Sequence, residues 1–229
     1  MEFRNFLLAG LAADDAAALT PHLREVSLVR GQVLYEPGAA VERVYFPSSA
    51  CISVVEMMAD GKTVETATIG RESATALLDA VLKVPASARM LTQVAGSATS
   101  LSGAILRERA EVSPAFRRLL HLHLRAVARQ AEISVACNLV HAADARLARW
   151  LLMTEDRTGG ASFSLTQDYM AVMTGVQRTT VSGIAAEMKK AGLIDYQRGA
   201  VSVLDQAGLR AKACECYDLM EEQFKALKP

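Results

Sequence analysis

Residues 166–192 read TQDYMAVMTGVQRTTVSGIAAEMKKAG and hold the side chains in this chain best suited to reading nucleic acid. Gln177, Arg178, Thr179, Ser182 and Gly183 fall on the outer side of a predicted helix. Val176, Val181 and Ile184 recur at helical spacing on its inner side. Such an outer face can reach base edges in a major groove. Positioning it takes a second helix at a tight turn. Thr166 can cap that helix, Asp168 suits its positive first turn, and small Ala171 comes four residues before Gly175. A small residue at the crossing, a glycine in the turn and apolar anchors inside are the grammar of a helix-turn-helix.

Other chemistry is poorly supplied. No nucleophile–base motif, phosphate-binding glycine loop or His/Asp/Glu metal cluster is evident, so an enzyme is not expected. The four cysteines, at 51, 137, 214 and 216, form no CxxC pair or Cys/His ladder, so neither zinc nor a disulfide framework is expected. On a continuous helix Cys214 and Cys216 would point about 200° apart, as would His121 and His123, which suits a joint metal site poorly. Redox sensing by Cys51 or by the 214/216 pair stays open. Net charge is zero, which argues against a bulk nucleic-acid coater but leaves room for a basic face on a specific binder. With no run of about 18 apolar residues and no signal-peptide pattern in MEFRNFLLAGLAADD, a cytoplasmic chain without membrane partners is expected.

The remaining elements follow from periodicity. Residues 3–25 read as helical with an interruption at Pro21. From Val26 the texture turns to short β-type runs separated by Gly31, Pro37-Gly38, Pro47-Ser48 and Asp60-Gly61, and it continues through 91–103. Asp-Gly between β runs signals a hairpin, and the regular turns suggest an antiparallel roll. Ser113-Pro114 opens a long helix on which Phe116, Leu120, Leu124, Val127, Ala131 and Ser134 repeat at spacings of three and four. This stripe reads as a seam for a partner helix. A further amphipathic helix over 144–153 packs Leu147, Trp150 and Leu151 against the helix-turn-helix. Two β runs around Arg198-Gly199 make a wing, and 206–227 reads as one last helix.

Taken together, the chain resembles the Crp/Fnr family of bacterial transcription regulators over nearly its whole length. QVLYEPGAAVERVYFPSSACISVV resembles the opening strands of the family's cyclic-nucleotide-binding-type roll. HAADARLARWLLM resembles its lead-in helix, and LTQDYMAVMTGVQRTTVSGIAAEMKKAGLIDYQRGAVSVLD its winged helix-turn-helix. TIGRES, VQRTTV and KACECY resemble a subgroup with no well-defined effector and a degenerate pocket. The resemblance implies an α+β architecture: a β-roll sensor domain over 1–110, a central dimerisation helix over 111–140, and a winged helix-turn-helix domain with a C-terminal helix over 141–229. It implies a homodimer on a palindromic double-stranded DNA operator, with RNA polymerase as a further partner if the protein activates. The alternative is a ligand-binding or protein-interaction module that has lost specific DNA binding.

The resemblance also assigns residues. Arg178 is expected to bond both acceptors of a guanine, Gln177 to read adenine or a phosphate, and Thr179 to touch a thymine methyl. Thr166, Gln167, Thr180, Lys189 and Arg198 are expected at the DNA backbone, beside Ser182 and Gly183 on the reading face. Many relatives carry Glu where Thr179 stands and Arg where Gly183 stands, so their half-site does not carry over. In the sensor pocket the family's Gly-Glu pair falls on Ala74-Thr75 and its phosphate-binding Arg on Met90. Near Ala131-Glu132 the adenine-holding hydroxyl pair is missing too. Arg71, Glu72 and Arg89 are the candidates for an altered pocket. No tight cAMP binding, iron–sulfur cluster or haem is expected, and the effector is left open.

Overall fold

A computed structural model describes residues 3–61, 63–160, 162–197 and 199–227. The helical start is two short helices, α1 (Phe6–Ala9) and α2 (Ala13–Leu19), followed by a 3-10 turn at Thr20–His22. Asn5 organises it. Its side-chain oxygen accepts from the Leu7 and Leu8 amides, while its amide nitrogen donates to the carbonyls of Pro47 and Ser73. A buried side chain whose polar atoms are all engaged fixes the helix entry to the sheets behind it.

The roll comprises β1 (Arg24–Leu28), β2 (Val33–Tyr35), β3 (Arg43–Pro47), β4 (Cys51–Met57), β5 (Thr63–Ile69), helix α3 (Leu77–Leu82), β6 (Arg89–Val94) and β7 (Gly96–Ser102). One antiparallel sheet runs β1-β7-β3 and the other β2-β6-β4-β5. The Asp-Gly signal is met: β4 and β5 pair across that turn, and Gly61 adopts φ +80°, where a side chain would be strained. Leu28, Tyr35, Ile52, Ile69 and Met90 fill one core between the sheets.

Helix α4 (Gly103–Val112) leads into α5 (Pro114–Val140). Ser113 caps α5 by accepting from the Phe116 amide, with Pro114 in the first turn, as its sequence requires. The buried stripe of α5 is Phe116, Leu120, His123, Ala126, Gln130, Ile133 and Cys137. This corrects the expected seam at two positions. Phe116 and Leu120 are buried in the chain's own core with Leu7, Leu19, Leu106 and Phe224. Leu124, Val127 and Ser134 are half-buried and Ala131 is exposed, with Val127 also packed against that core, so these four keep surface for a partner.

The last part holds α6 (Ala143–Thr158), β8 (Ser162–Ser164), α7 (Gln167–Thr174), α8 (Arg178–Lys190), β9 (Ile194–Gln197), β10 (Ala200–Val203), α9 (Gln206–Lys212) and α10 (Cys216–Phe224). Leu147, Trp150 and Leu151 of α6 are buried with Met170, Val181 and Met188, as the amphipathic pattern predicts. Burying each of these large side chains is worth about 1.5–3 kcal/mol. The wing gains a third strand, β8, beside the expected pair in the order β8-β10-β9. The expected single C-terminal helix is two helices. The chain leaves α9 at Ala213, which takes an extended conformation (φ −70°, ψ 155°), and restarts at Cys216. Phe224 and Leu227 then pack back into the core shared with α1 and α5. Among the described residues no helix is long and apolar enough to cross a membrane.

Candidate nucleic-acid interface and cavity

The turn between α7 and α8 forms as its residues dictate. Thr166 caps α7 by accepting from the Tyr169 amide, and Gly175 ends it at φ +64°, its amide donating to the Ala171 carbonyl. Val181, Ala185 and Met188 bury one face of α8. The other face is open: Gln177, Arg178, Thr179, Thr180 and Gly183 are exposed, and a side chain at Gly183 would meet nothing within 4 Å. Arg178 sits 3.4 Å from Asp168 across the turn, both side chains about two-thirds exposed. Such a pair is worth at most about 1 kcal/mol, so the guanidinium is free to exchange partners.

The backbone candidates divide. Ser182 Oγ lies 2.7 Å from Gln167 Oε1 and 2.9 Å from the Arg178 carbonyl, so Ser182 and Gln167 clamp α7 to α8. Thr166 is occupied as a cap. Lys189 Nζ is 2.7 Å from Asp195 and 3.3 Å from the Tyr196 carbonyl, which holds the root of the wing to α8. Arg198 lies outside the described residues.

The roll and α5 border a half-open cavity of about 280 Å³ between β4, β5, α3, β6 and α5. Its charged or titratable lining is Glu72, Asp79 and His123, with no lysine or arginine among the lining residues. Met90 lines it where the family's phosphate-binding arginine would stand, and the Thr75 hydroxyl already accepts from the Tyr45 amide. Ala76 opens α3 at φ +45°, a left-handed conformation costing about 1 kcal/mol outside glycine. Two of the three residues expected in the pocket are elsewhere. Arg89 points outward to Glu36 at 3.4 Å, and Arg71 lies over the Phe6 ring, 5.4 Å from its centre. An arginine beyond a pocket's wall gives a bound anion no charge-assisted bond.

Glu72 is in the wall but already paired. Its Oε1 accepts from Arg157 Nε at 2.7 Å and from the Gly70 amide at 3.2 Å. Arg157 belongs to α6, and its other arm reaches Gln130 of α5 at 3.3 Å. One buried guanidinium thus joins the roll, the central helix and the helix leading to α7 and α8. Sequence reasoning missed Arg157 because nothing in DARLARWLLMTEDR marks which arginine turns inward.

Two further groups in this region titrate in opposite senses. Burial pushes the His123 imidazole down from 6.5 to about 4, its Nε2 being 2.7 Å from Ser73 Oγ. Loss of hydration pushes the Glu65 carboxyl up from 4.5 to about 7, outweighing hydrogen bonds from Ser53 and Thr68. Unfolding lets His123 gain a proton between about pH 4 and 6.5, so its contribution to stability rises with pH there. Glu65 behaves oppositely: the native state holds the extra proton, and that stability, full below about 4.5, is lost as pH rises through about 7. Glu65→Gln removes the second slope. Its Tm relative to the parent chain should therefore climb from about pH 5 to about 7 in thermal melts. A difference that stays flat would contradict this assignment.

The structure also corrects the view of the cysteines. Cys214 lies in the break between α9 and α10, not on a continuous helix with Cys216, so the two thiols turn toward one another. With Cys137 and His141 they bring four ligand atoms within 4.8 Å of one another. Cys51, by contrast, is buried in β4, and loss of hydration holds its thiol well above the ordinary range. That environment makes it inert.

The architecture is thus a roll with a cavity, a long central helix and a winged helix-turn-helix. Residues 145–212 match the Crp-like helix-turn-helix domain, and the chain carries the fold of the Crp/Fnr regulators. FixK2 from Bradyrhizobium japonicum superposes with a TM-score of 0.71 at 16% identity, over 84% of this chain and 98% of that one. A CRP-family transcriptional regulator from Thermus thermophilus gives 0.67 at 19% identity, over 82% and 96%. The c-di-GMP responsive global regulator CLP from Xanthomonas campestris gives 0.59 at 13% identity, over 84% and 99%. No curated protein is significantly similar in sequence.

Proposed function

We propose that the chain is a transcription regulator that reads a palindromic operator as a homodimer and answers to an effector other than cAMP. The exposed row Gln177 to Thr180, on a helix whose opposite face is buried, carries this reading. Surface side chains on so firmly seated a helix are free to meet base edges. The dimer reading is supported by apolar side chains left on α5: Val135 is 63% and Leu139 80% exposed, continuing the half-buried Leu124 and Val127. A second copy packed there would set two α8 helices about 34 Å apart, one turn of duplex. RNA polymerase would be the further partner of a bound activator. The uncharged cavity wall at Met90 argues against cyclic nucleotides, whose phosphate needs a cation.

Electrophoretic retention of genomic fragments tests this. A subset of fragments should be retained at low salt, and adding cAMP should leave the pattern unchanged. If no fragment is selected over bulk DNA, with or without cell extract, the regulator reading fails and the chain is a binding module without DNA specificity.

A further inference from the structure

We propose that Cys137, His141, Cys214 and Cys216 form a tetrahedral Zn2+ site that ties the end of the central helix to the break between the last two helices. The sequence brings the four together in two steps. Cys137 and His141 are four residues apart at the C-terminal end of α5, so they share a face. The extended residue Ala213 turns Cys214 out of α9 and back onto that face, and Cys216 opens α10 beside it.

The spacing fits a single ion. Metal–ligand lengths of about 2.3 Å for sulfur and 2.0 Å for nitrogen place tetrahedral donors about 3.8 Å apart for two sulfurs and about 3.5 Å for a sulfur and a nitrogen. The Cys137 and Cys214 sulfurs are 3.5 Å apart, and Cys216 Sγ is 3.6 Å from His141 Nδ1. Two sulfide-bridged irons would force opposing donors further apart than the 4.8 Å that spans all four here. Three thiolates and an imidazole in a closed tetrahedral set are a zinc donor set. All three sulfurs are buried, and His141 is half-buried at the rim.

Two neighbours are arranged as such a site requires. His141 turns Nδ1 inward, while Nε2 is 3.2 Å from the Glu215 carboxylate, the outer partner that fixes a ligating imidazole's tautomer. Arg149 of α6 is buried with its guanidinium against the sulfurs of Met153 and Met220, and its Nε has no hydrogen-bond partner. Burial and then Cys137 hold the Cys214 thiol above its ordinary range in the metal-free chain, and Arg149, with no carboxylate paired to it among the described residues, is a cation near enough to oppose them. A Zn2+ ion with three thiolates and a neutral histidine carries one net negative charge. Arg149 would balance it. Loading releases the thiol protons to solvent as the Zn–S bonds form, with no change of oxidation state.

The place of the site gives it a consequence. His141 caps α5, and α6 begins two residues later. An ion held there fixes the elbow between the dimer helix and the helix that carries α7 and α8.

Untagged protein prepared under reducing conditions should carry one Zn2+ per chain by metal analysis. After removal of zinc, Co2+ should bind one per chain, with the intense visible bands and sulfur-to-cobalt charge transfer of a tetrahedral thiolate site. Cys137→Ser, Cys216→Ser and His141→Ala should each weaken Co2+ binding at least tenfold, while Cys51→Ser should leave it unchanged. The titration of the parent chain does not depend on how any variant folds. Substoichiometric metal, an octahedral Co2+ spectrum, or a Cys137–Cys214 disulfide as the form isolated under reduction would overturn the proposal.

Discussion

Replacing Arg157 with alanine is expected to lower the unfolding free energy by about 3–5 kcal/mol, the range for breaking a buried ion pair from one side. The loss arises mainly at the residue left behind. Glu72 is 7% exposed, and after the change its carboxylate keeps only the Gly70 amide while its cation is gone. Arg157 also packs closely beside the strand end: a Cβ built on Gly70 would lie 2.4 Å from the Arg157 Cβ and Cγ. Removing the side chain therefore adds a cavity to an unpaired charge, and both terms have the same sign. Urea unfolding should show a lower midpoint with a nearly unchanged slope.

The double variant Glu72→Met with Arg157→Met separates charge from packing. Apolar side chains of similar volume leave no buried charge behind, so most of the single-variant loss should be recovered. If Arg157→Ala costs less than about 1 kcal/mol, the pair is effectively solvated and the picture of a dry junction is wrong. The same pair links three elements. Glu72 lines the cavity, Arg157 sits on the helix entering the winged domain, and Gln130 on the central helix shares the guanidinium. A cavity ligand that altered Glu72 would be felt on two other elements through one side chain.

What could be read from residues alone depended on how local each feature is. The α7–α8 turn was legible because its determinants, Thr166, Ala171 and Gly175, lie within ten residues and act on their own backbone. The central helix was legible as a helix but not in its facing. Apolar positions three and four apart mark a buried stripe without saying what buries it, so Phe116 and Leu120, buried in the chain's own core, read like the half-buried Leu124. His123 and Gln130, buried polar members of that stripe, hid its true centre. The Glu72–Arg157 pair spans 85 residues and leaves no local trace. The cysteine cluster hinged on a helix break at Ala213 that no proline or glycine announces. Drawn as one continuous helix, that segment sends Cys214 and Cys216 apart, and the spacing of Cys137 and His141 loses its meaning.

Arg178→Ala is expected to remove most of the sequence preference of DNA binding while sparing non-specific binding. A guanidinium bonded to both acceptors of a guanine discriminates by about 1–3 kcal/mol. A symmetric dimer would make the contact twice, so specific affinity should fall by about thirty-fold to twenty-thousand-fold. The change should not act through the fold, because Arg178 is well exposed and its ion pair with Asp168 at 3.4 Å adds little. Arg178→Lys is the sharper comparison. It keeps the positive charge but loses the planar fork, so non-specific affinity and salt dependence should stay near those of the parent while the preference for the selected operator collapses. Fluorescence anisotropy against the selected operator and a scrambled duplex, at two salt concentrations, resolves these outcomes. An Arg178→Lys chain that keeps full discrimination would make Arg178 a phosphate contact, and the burden of reading would shift to Gln177 and Thr179 at the same exposed end of α8.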